Sequence, residues 1–575
     1  MSPACASLRL RSFEEGCPRR QLPFLRCFII TLNQPEQVQA TNRESSRPVG
    51  TWEKPAAGVV GLLVAVFILA LSSTAHAGEA RRKLIGMYVH QHWPYHHPYA
   101  ARTWTLEDWR GYAEGLHRLG YNAILIWPVL ETMPEPLTAS DRANLRKIAQ
   151  VIDMLHKQFG MRAYIVLCPN VVAKDQAAAK ASFQKRHFFY CDTRVDPADP
   201  AAMERLLERR ARLLAPLKNM DGVAIIDSDP GGYPDSGNEQ FTNLLMAHRK
   251  LLDQLRPGIE LCYWMHVGWL GYGRFYKTGT LSFSTEAEQT DMLLRLKALN
   301  PEPWGIANGL EFAKKAGLTE RVISFNYGRI EGEPSLPMSN FGGNTAYEGG
   351  AQPGPCGVMG NAQTHCIQLP NTFAFARGAA GMPVADADYV AFAEDLIPGL
   401  GETIVRAWKA LAGSEPAAMR ACASELARFP VRRLKPGPLK GLLFGSPRRF
   451  VNDLAMMLRV RAAFESLRAA VESRASATEP LGEFVAAASA WQRQHGYENT
   501  WWWPNLDEVL RKLNAPEINA VLETRFDPFA LPKLLPAETP FHYVARKLAE
   551  EESNTPRLLK GLEAAWKRMA RGVDR

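Results

Sequence analysis

The sequence is poor in cysteine, in clustered charge and in long apolar runs, and each shortage removes a class of protein. The nine cysteines among 575 residues form no Cys-x-x-Cys pair and no metal-ligand spacing, which excludes a zinc module. No block of five or more Lys/Arg occurs, although the formal net charge is +9, so a nucleic-acid partner is not expected. No internal repeat or low-complexity tract is present. With 22% charged residues and 30 Trp plus Tyr, neither a disordered chain nor a coiled coil fits. The longest apolar run, residues 58–71, has 14 residues, short of the roughly 20 needed to cross a bilayer.

That run has another use. Lys54 precedes it, and Ser72-Ser73-Thr74-Ala75-His76-Ala77 follows, a small-residue Ala-x-Ala site. This is the pattern of a secretory signal peptide over 54–77, cleaved after Ala77. It predicts a secreted or periplasmic protein with no stable membrane span in its mature form. The preceding residues 1–53 have no periodic pattern, and the expected biological start lies near Val49. Cleavage leaves 60 basic against 54 acidic residues, a net +6. Six cysteines remain (Cys168, Cys191, Cys262, Cys356, Cys366, Cys422). An even number in an exported chain permits disulfides, and buried free thiols are the alternative.

From residue 84 to about 385, short apolar runs alternate with amphipathic stretches. Strands are expected at 84–89, 123–127, 162–168, 222–226, 259–264, 280–284, 322–326 and 356–359. Helices are expected at 106–119, 142–159, 201–217, 238–255, 286–299, 303–317 and 371–380. Strands apolar throughout and separated by helices imply a parallel sheet covered on both faces. Eight units predict an α/β fold, a (β/α)8 TIM-like barrel over 84–385. Beyond it, segments such as 449–473 and 481–494 carry apolar residues at three- and four-residue spacing without strand-like runs. They predict an α-helical C-terminal domain over 386–575, in which Trp501-Trp502-Trp503 reads as core or domain packing.

In such a barrel the chemistry sits where the strands end. Strand one runs into His90, His92 and Trp93, strand two into Trp127, and strand three into Asn170. Strand four ends in Asp227-Ser228-Asp229-Pro230-Gly231-Gly232, strand five in Trp264 and His266. Strand seven leads to Tyr327, Arg329 and Glu331, strand eight to Asn361, Gln363 and His365. Two close carboxylates repel, so one is kept protonated near neutral pH and can donate a proton. The aromatic residues suit the apolar faces of sugar rings.

A second class rests on His90, His92 and His266, which could share a metal as in amidohydrolase barrels. No Lys closes strand four, however, and strand eight offers His365 where that pattern has Asp.

The segment Trp104-Thr105-Leu106-Glu107-Asp108-Trp109, leading to Leu119-Gly120-Tyr121-Asn122, resembles the first βαβ unit of barrel glycoside hydrolases. Asp221-Gly222-Val223 before the paired acids is similar in placement to family 20 β-N-acetylhexosaminidase-like and chitinase-like barrels. Those families place Glu where this chain has Asp229. The resemblance covers about residues 84–385 and implies an exported glycoside hydrolase acting on acidic or N-acetylated sugars, with a carbohydrate substrate and no metal or cofactor. Asp229 would be the general acid and Asp227 its orienting neighbour. The second participant is Glu331, a histidine-polarised water or the substrate's acetamido group. A non-catalytic carbohydrate-binding barrel is the third reading.

Overall fold

The computed structural model describes residues 83–91, 96–183, 186, 193–227, 233–234, 237–265, 275–277, 280–282, 285–325, 354–361, 368–496, 504–524 and 554–572. Eight parallel strands close into a barrel in which each pairs with its neighbours in chain order and the last pairs with the first. The strands are β1 (Leu84–His90), β2 (Ala123–Trp127), β3 (Arg162–Leu167) and β4 (Gly222–Ile226). Then come β5 (Glu260–Trp264), β6 (Trp304–Ala307), β7 (Val322–Phe325) and β8 (Gly357–Asn361). The connecting helices are α1 (Leu106–Arg118), α2 (Ala139–Met154), α3 (Pro200–Leu214) and α4 (Asn238–Leu255). They continue with α5 (Glu286–Leu299), α6 (Leu310–Ala316) and α7 (Leu369–Ala379).

Local chemistry explains the boundaries. Thr105 caps α1 by accepting from the Asp108 N–H while Asp108 takes the Thr105 N–H, and Thr285 with Glu288 repeats the device at α5. Each such box satisfies two donors that the first helical turn leaves open. Strands β2, β4 and β5 are buried at every position, as expected of a sheet between a filled lumen and a helical shell. In β4, a Cβ on Gly222 would come within 2.5 Å of the Tyr164 ring. Glycine there lets Tyr164 lean across and donate to Glu260 at 2.7 Å.

One expected strand moves. The sixth barrel strand is Trp304–Ala307, inside the stretch read as a helix over 303–317. Asn308 and Gly309, both at positive φ, turn the chain from this short strand into α6. Residues 280–284, expected as the sixth strand, contribute Thr280–Ser282 to a small antiparallel pair with Phe275–Lys277 outside the barrel. The helix at 286–299 therefore joins strands five and six.

The C-terminal region is helical: α8 (Asp386–Leu396), α9 (Gly401–Ala412), α10 (Pro416–Arg428), α11 (Pro447–Glu472) and α12 (Thr478–His495). Shorter α13 (Pro504–Leu513) and α14 (Pro516–Glu523) precede α15 (Asn554–Ala570). This region packs directly on α1. A Cβ on Gly441 would lie 2.0 Å from the Gly111 carbonyl oxygen, so both backbones need glycine to meet. Beside them Phe444 packs on Trp104, with ring centroids 4.7 Å apart. The Tyr99 hydroxyl donates to buried Asp453 of α11 at 2.5 Å. Among the described residues no helix is long and apolar enough to cross a membrane.

Candidate active site

Side chains alternate along a strand, so one parity of each barrel strand faces the lumen. The registers that pair His90 with Trp127 and Ile226 with Trp264 place Tyr88, His90, Trp127, Trp264, Phe325 and Asn361 at the lumenal end where the strands finish. Their contacts agree. Tyr88 sits at the centre, 4.3 Å from the His90 ring, 4.9 Å from Trp264 and 6.3 Å from both Trp127 and Phe325, centroid to centroid. His90 meets Trp127 edge-on at 5.2 Å, and Trp264 meets Phe325 at 5.0 Å. The result is a buried aromatic cluster that carries the Tyr88 hydroxyl and, 3.3 Å apart, His90 Nε2 and Asn361 Nδ2. The Trp264 indole N–H is buried there and has no hydrogen-bond partner among the described residues.

Sequence reasoning named His90, Trp127, Trp264 and Asn361, and the fold brings these four together. It missed Tyr88 and Phe325, whose inward parity was readable from the strand pattern itself. Asn170 is fully buried after β3; its Nδ2 donates to the Val195 carbonyl at 2.7 Å, while its Oδ1 has no donor among the described residues.

Asp227 takes another position. It is buried, and its Oδ2 accepts a 2.8 Å hydrogen bond from the Tyr263 hydroxyl. Tyr263 precedes Trp264 and faces the opposite way, against Phe241 of α4 at 5.7 Å. The Asp227 carboxylate is thereby tied to the layer between sheet and helices. His92, Trp93, Asp229, His266, Tyr327, Arg329, Glu331, Gln363 and His365 lie outside the described residues.

A further carboxylate emerges behind the rim. Glu131, just after β2, is 4% exposed, and its Oε1 accepts the Cys168 N–H at 2.7 Å. Pro128 ends β2, and this side chain occupies the neighbouring strand's next N–H. Burial raises the Glu131 pKa; the Arg210 charge, the N–H groups of Glu131 and Cys168, and Trp127 oppose that rise. Arg210 of α3 donates to the Cys168 carbonyl and bonds the His248 ring of α4. Burial first, then the Arg210 charge, lowers the His248 pKa to about 3, so its ring is neutral and accepts from the guanidinium. The whole network braces the ends of β2 and β3.

Among the described residues no group of three or more His, Cys, Asp or Glu could hold a metal ion. Cys168, Cys262, Cys356 and Cys422 form no disulfide with one another; Cys191 and Cys366 lie outside the described residues.

Fold and site together define a (β/α)8 barrel with a buried aromatic cluster where its strands end and a helical C-terminal region. No family model matches the chain, and no curated protein matches it in sequence. Solved structures similar to it include CpGH84D, with 12% identity, 72% of this chain and 70% of that chain covered, and a TM-score of 0.34. A GH138 enzyme targeting pectin rhamnogalacturonan II has 10% identity, 80% and 70% coverage, and a TM-score of 0.37. A β-N-acetylhexosaminidase from Bacteroides fragilis NCTC 9343 has 11% identity, 54% and 72% coverage, and a TM-score of 0.32. At these values neither an activity nor a residue role passes from those structures to this chain.

Proposed function

We propose that the chain is an exported glycoside hydrolase, cleaved after Ala77, that binds an acidic or N-acetylated sugar at the barrel mouth. The observation that supports this reading is the aromatic cluster of Tyr88, His90, Trp127, Trp264 and Phe325, with Asn361 beside His90, where the barrel strands end. Sugar sites are built from such rings with a few polar groups among them that fix hydroxyls. Asp229 is the general acid that protonates the leaving oxygen, and Glu331 is the second carboxylate. Asp227, held by Tyr263, fixes the backbone from which Asp229 extends. Arg329 pairs with the acidic group of the sugar.

The test is a screen of the mature chain against aryl glycosides and complex glycans, neutral and acidic, repeated on Asp229→Asn. Sugar release lost in the variant supports the reading. Turnover that needs added metal and disappears with chelator replaces it with a metal-dependent hydrolase built on His90, His92 and His266. Saccharide binding without turnover makes the chain a binding protein.

A further inference from the structure

The positive charge of the chain has a focus outside the barrel. Between Glu425 and Asp453 the sequence holds seven basic residues and no acidic one, against +9 for the whole chain. Six of them (Arg428, Arg432, Arg433, Lys435, Lys440, Arg448) are exposed. Among the described residues none of the six has an ion-pair partner, and three carboxylates of the neighbouring helices are already taken. Glu425 pairs with Arg406, Glu483 with Arg420 and Asp453 with Arg449. Some exposed cations elsewhere are paired within one helical turn, as in Arg118 with Glu114 and Arg295 with Asp291. Concentrating like charge without counter-charge is unfavourable for the isolated protein and favourable for capturing an anion.

The segment is also built to hold its shape. Arg433 N–H donates to the Pro430 carbonyl, Lys435 N–H to Arg433, and Gly437 N–H to Leu396 of α8. Arg428 and Arg433 line an open cleft of about 560 Å³ together with Arg420, Ser424, Phe429, Pro430 and one carboxylate, Glu425, whose charge Arg406 takes up. Guanidinium groups present paired donors that match carboxylate oxygens. The exposed large apolar side chains, Leu106, Leu294, Leu299 and Met382, all lie outside this segment, so it has no apolar wedge for a membrane. Its one aromatic residue within the cleft, Phe429, is half-buried, which gives a poor platform for stacking nucleobases.

We infer that this basic cleft is a secondary binding surface for an acidic polysaccharide chain, engaging its carboxylates through Arg428 and Arg433, with Lys435 exposed beside them. The choice of polymer rests on the glycosidase reading; the anion preference rests on the unpaired cations. The cleft holds the polymer near the barrel, so that the active site works on a retained chain.

The experiment measures binding of the full chain to carboxymethyl-dextran and to unmodified dextran, which share a backbone and differ in charge. The expected result is binding to the charged polymer alone, weakening steeply with salt. The triple variant R428Q/R433Q/K435Q should weaken it about tenfold, the effect of losing three exposed ion pairs, with an unchanged melting temperature. Equal binding to both dextrans, or an unaffected variant, overturns the proposal. So does a preference for a single-stranded oligonucleotide or for phosphatidylglycerol–phosphatidylcholine vesicles over carboxymethyl-dextran. A small aryl glycoside separates the two readings, since its hydrolysis does not involve the cleft. Turnover without polymer binding removes the cleft alone, and binding without turnover removes the hydrolase alone.

Discussion

Arg210→Met removes the charge that opposes the desolvation of buried Glu131. Losing a buried counter-charge together with the Arg210 hydrogen bonds to the Cys168 carbonyl and His248 should cost about 3–5 kcal/mol, a large part of the roughly 5–15 kcal/mol that holds a domain together. Glu131→Gln should cost about 1 kcal/mol, because a glutamine oxygen still accepts the Cys168 N–H that Glu131 accepts at 2.7 Å. The double variant should then be more stable than Arg210→Met by at least about 2 kcal/mol, since no buried charge remains. It does not recover fully, because the contacts of Arg210 with the Cys168 carbonyl and His248 stay lost. The assay is urea unfolding of the four proteins at neutral pH, comparing midpoints at a common slope. Acidity supplies a second reading. Burial raises the Glu131 pKa in the folded state, so its protonated form stabilises the fold below the unfolded carboxylate pKa. That contribution is lost as pH rises through the folded value. Arg210→Met should therefore recover at acid pH, and Glu131→Gln should flatten the profile. A double variant no more stable than Arg210→Met would refute the reasoning.

Three other variants probe other joints. Gly441→Ala sets a methyl 2.0 Å from the Gly111 carbonyl oxygen and should cost about 1–3 kcal/mol, read as a lower urea midpoint. Tyr263→Phe deletes the donor to Asp227 Oδ2 and should cost about 1–3 kcal/mol; if Asp227 fixes the catalytic loop, kcat falls too while KM holds. Lys147 donates to the Arg102 and Trp104 carbonyls, and burial, then the Arg102 charge, lowers its pKa to about 8. The unfolded chain binds the extra proton between about 8 and the ordinary lysine value, so stability attributable to this group rises with pH across that window. Lys147→Met should abolish that rise in a melting-temperature series.

Much of the barrel was legible because parallel strands are apolar on both faces and their helices are not. Ala123–Trp127 and Gly222–Ile226 stand out as uninterrupted apolar runs, and Asn238–Leu255 carries its stripe from end to end. Trp304–Ala307 did not, because four apolar residues before Leu310 continue a helical spacing by accident, while residues 280–284 alternate as a hairpin strand does. At the mouth, strand endings identified His90, Trp127, Trp264 and Asn361, since position in the fold alone assigns them to the rim. Glu131, Arg210 and His248 were invisible as a set, because their association depends on three separate elements meeting behind β2 and β3. The basic cleft escaped for a different reason. Its cations are spaced by Pro, Gly and Leu, and a search for contiguous charge passes over them.

The most direct test of the central claim is the rate of sugar release by the mature chain and by Asp229→Asn, on a substrate found in the glycan screen. A general acid contributes about 10²–10⁴-fold, so the variant should lose activity by that factor, keep its urea midpoint and still bind the sugar. Full activity in Asp229→Asn would contradict the account, because no proton donor would then be assigned to strand four.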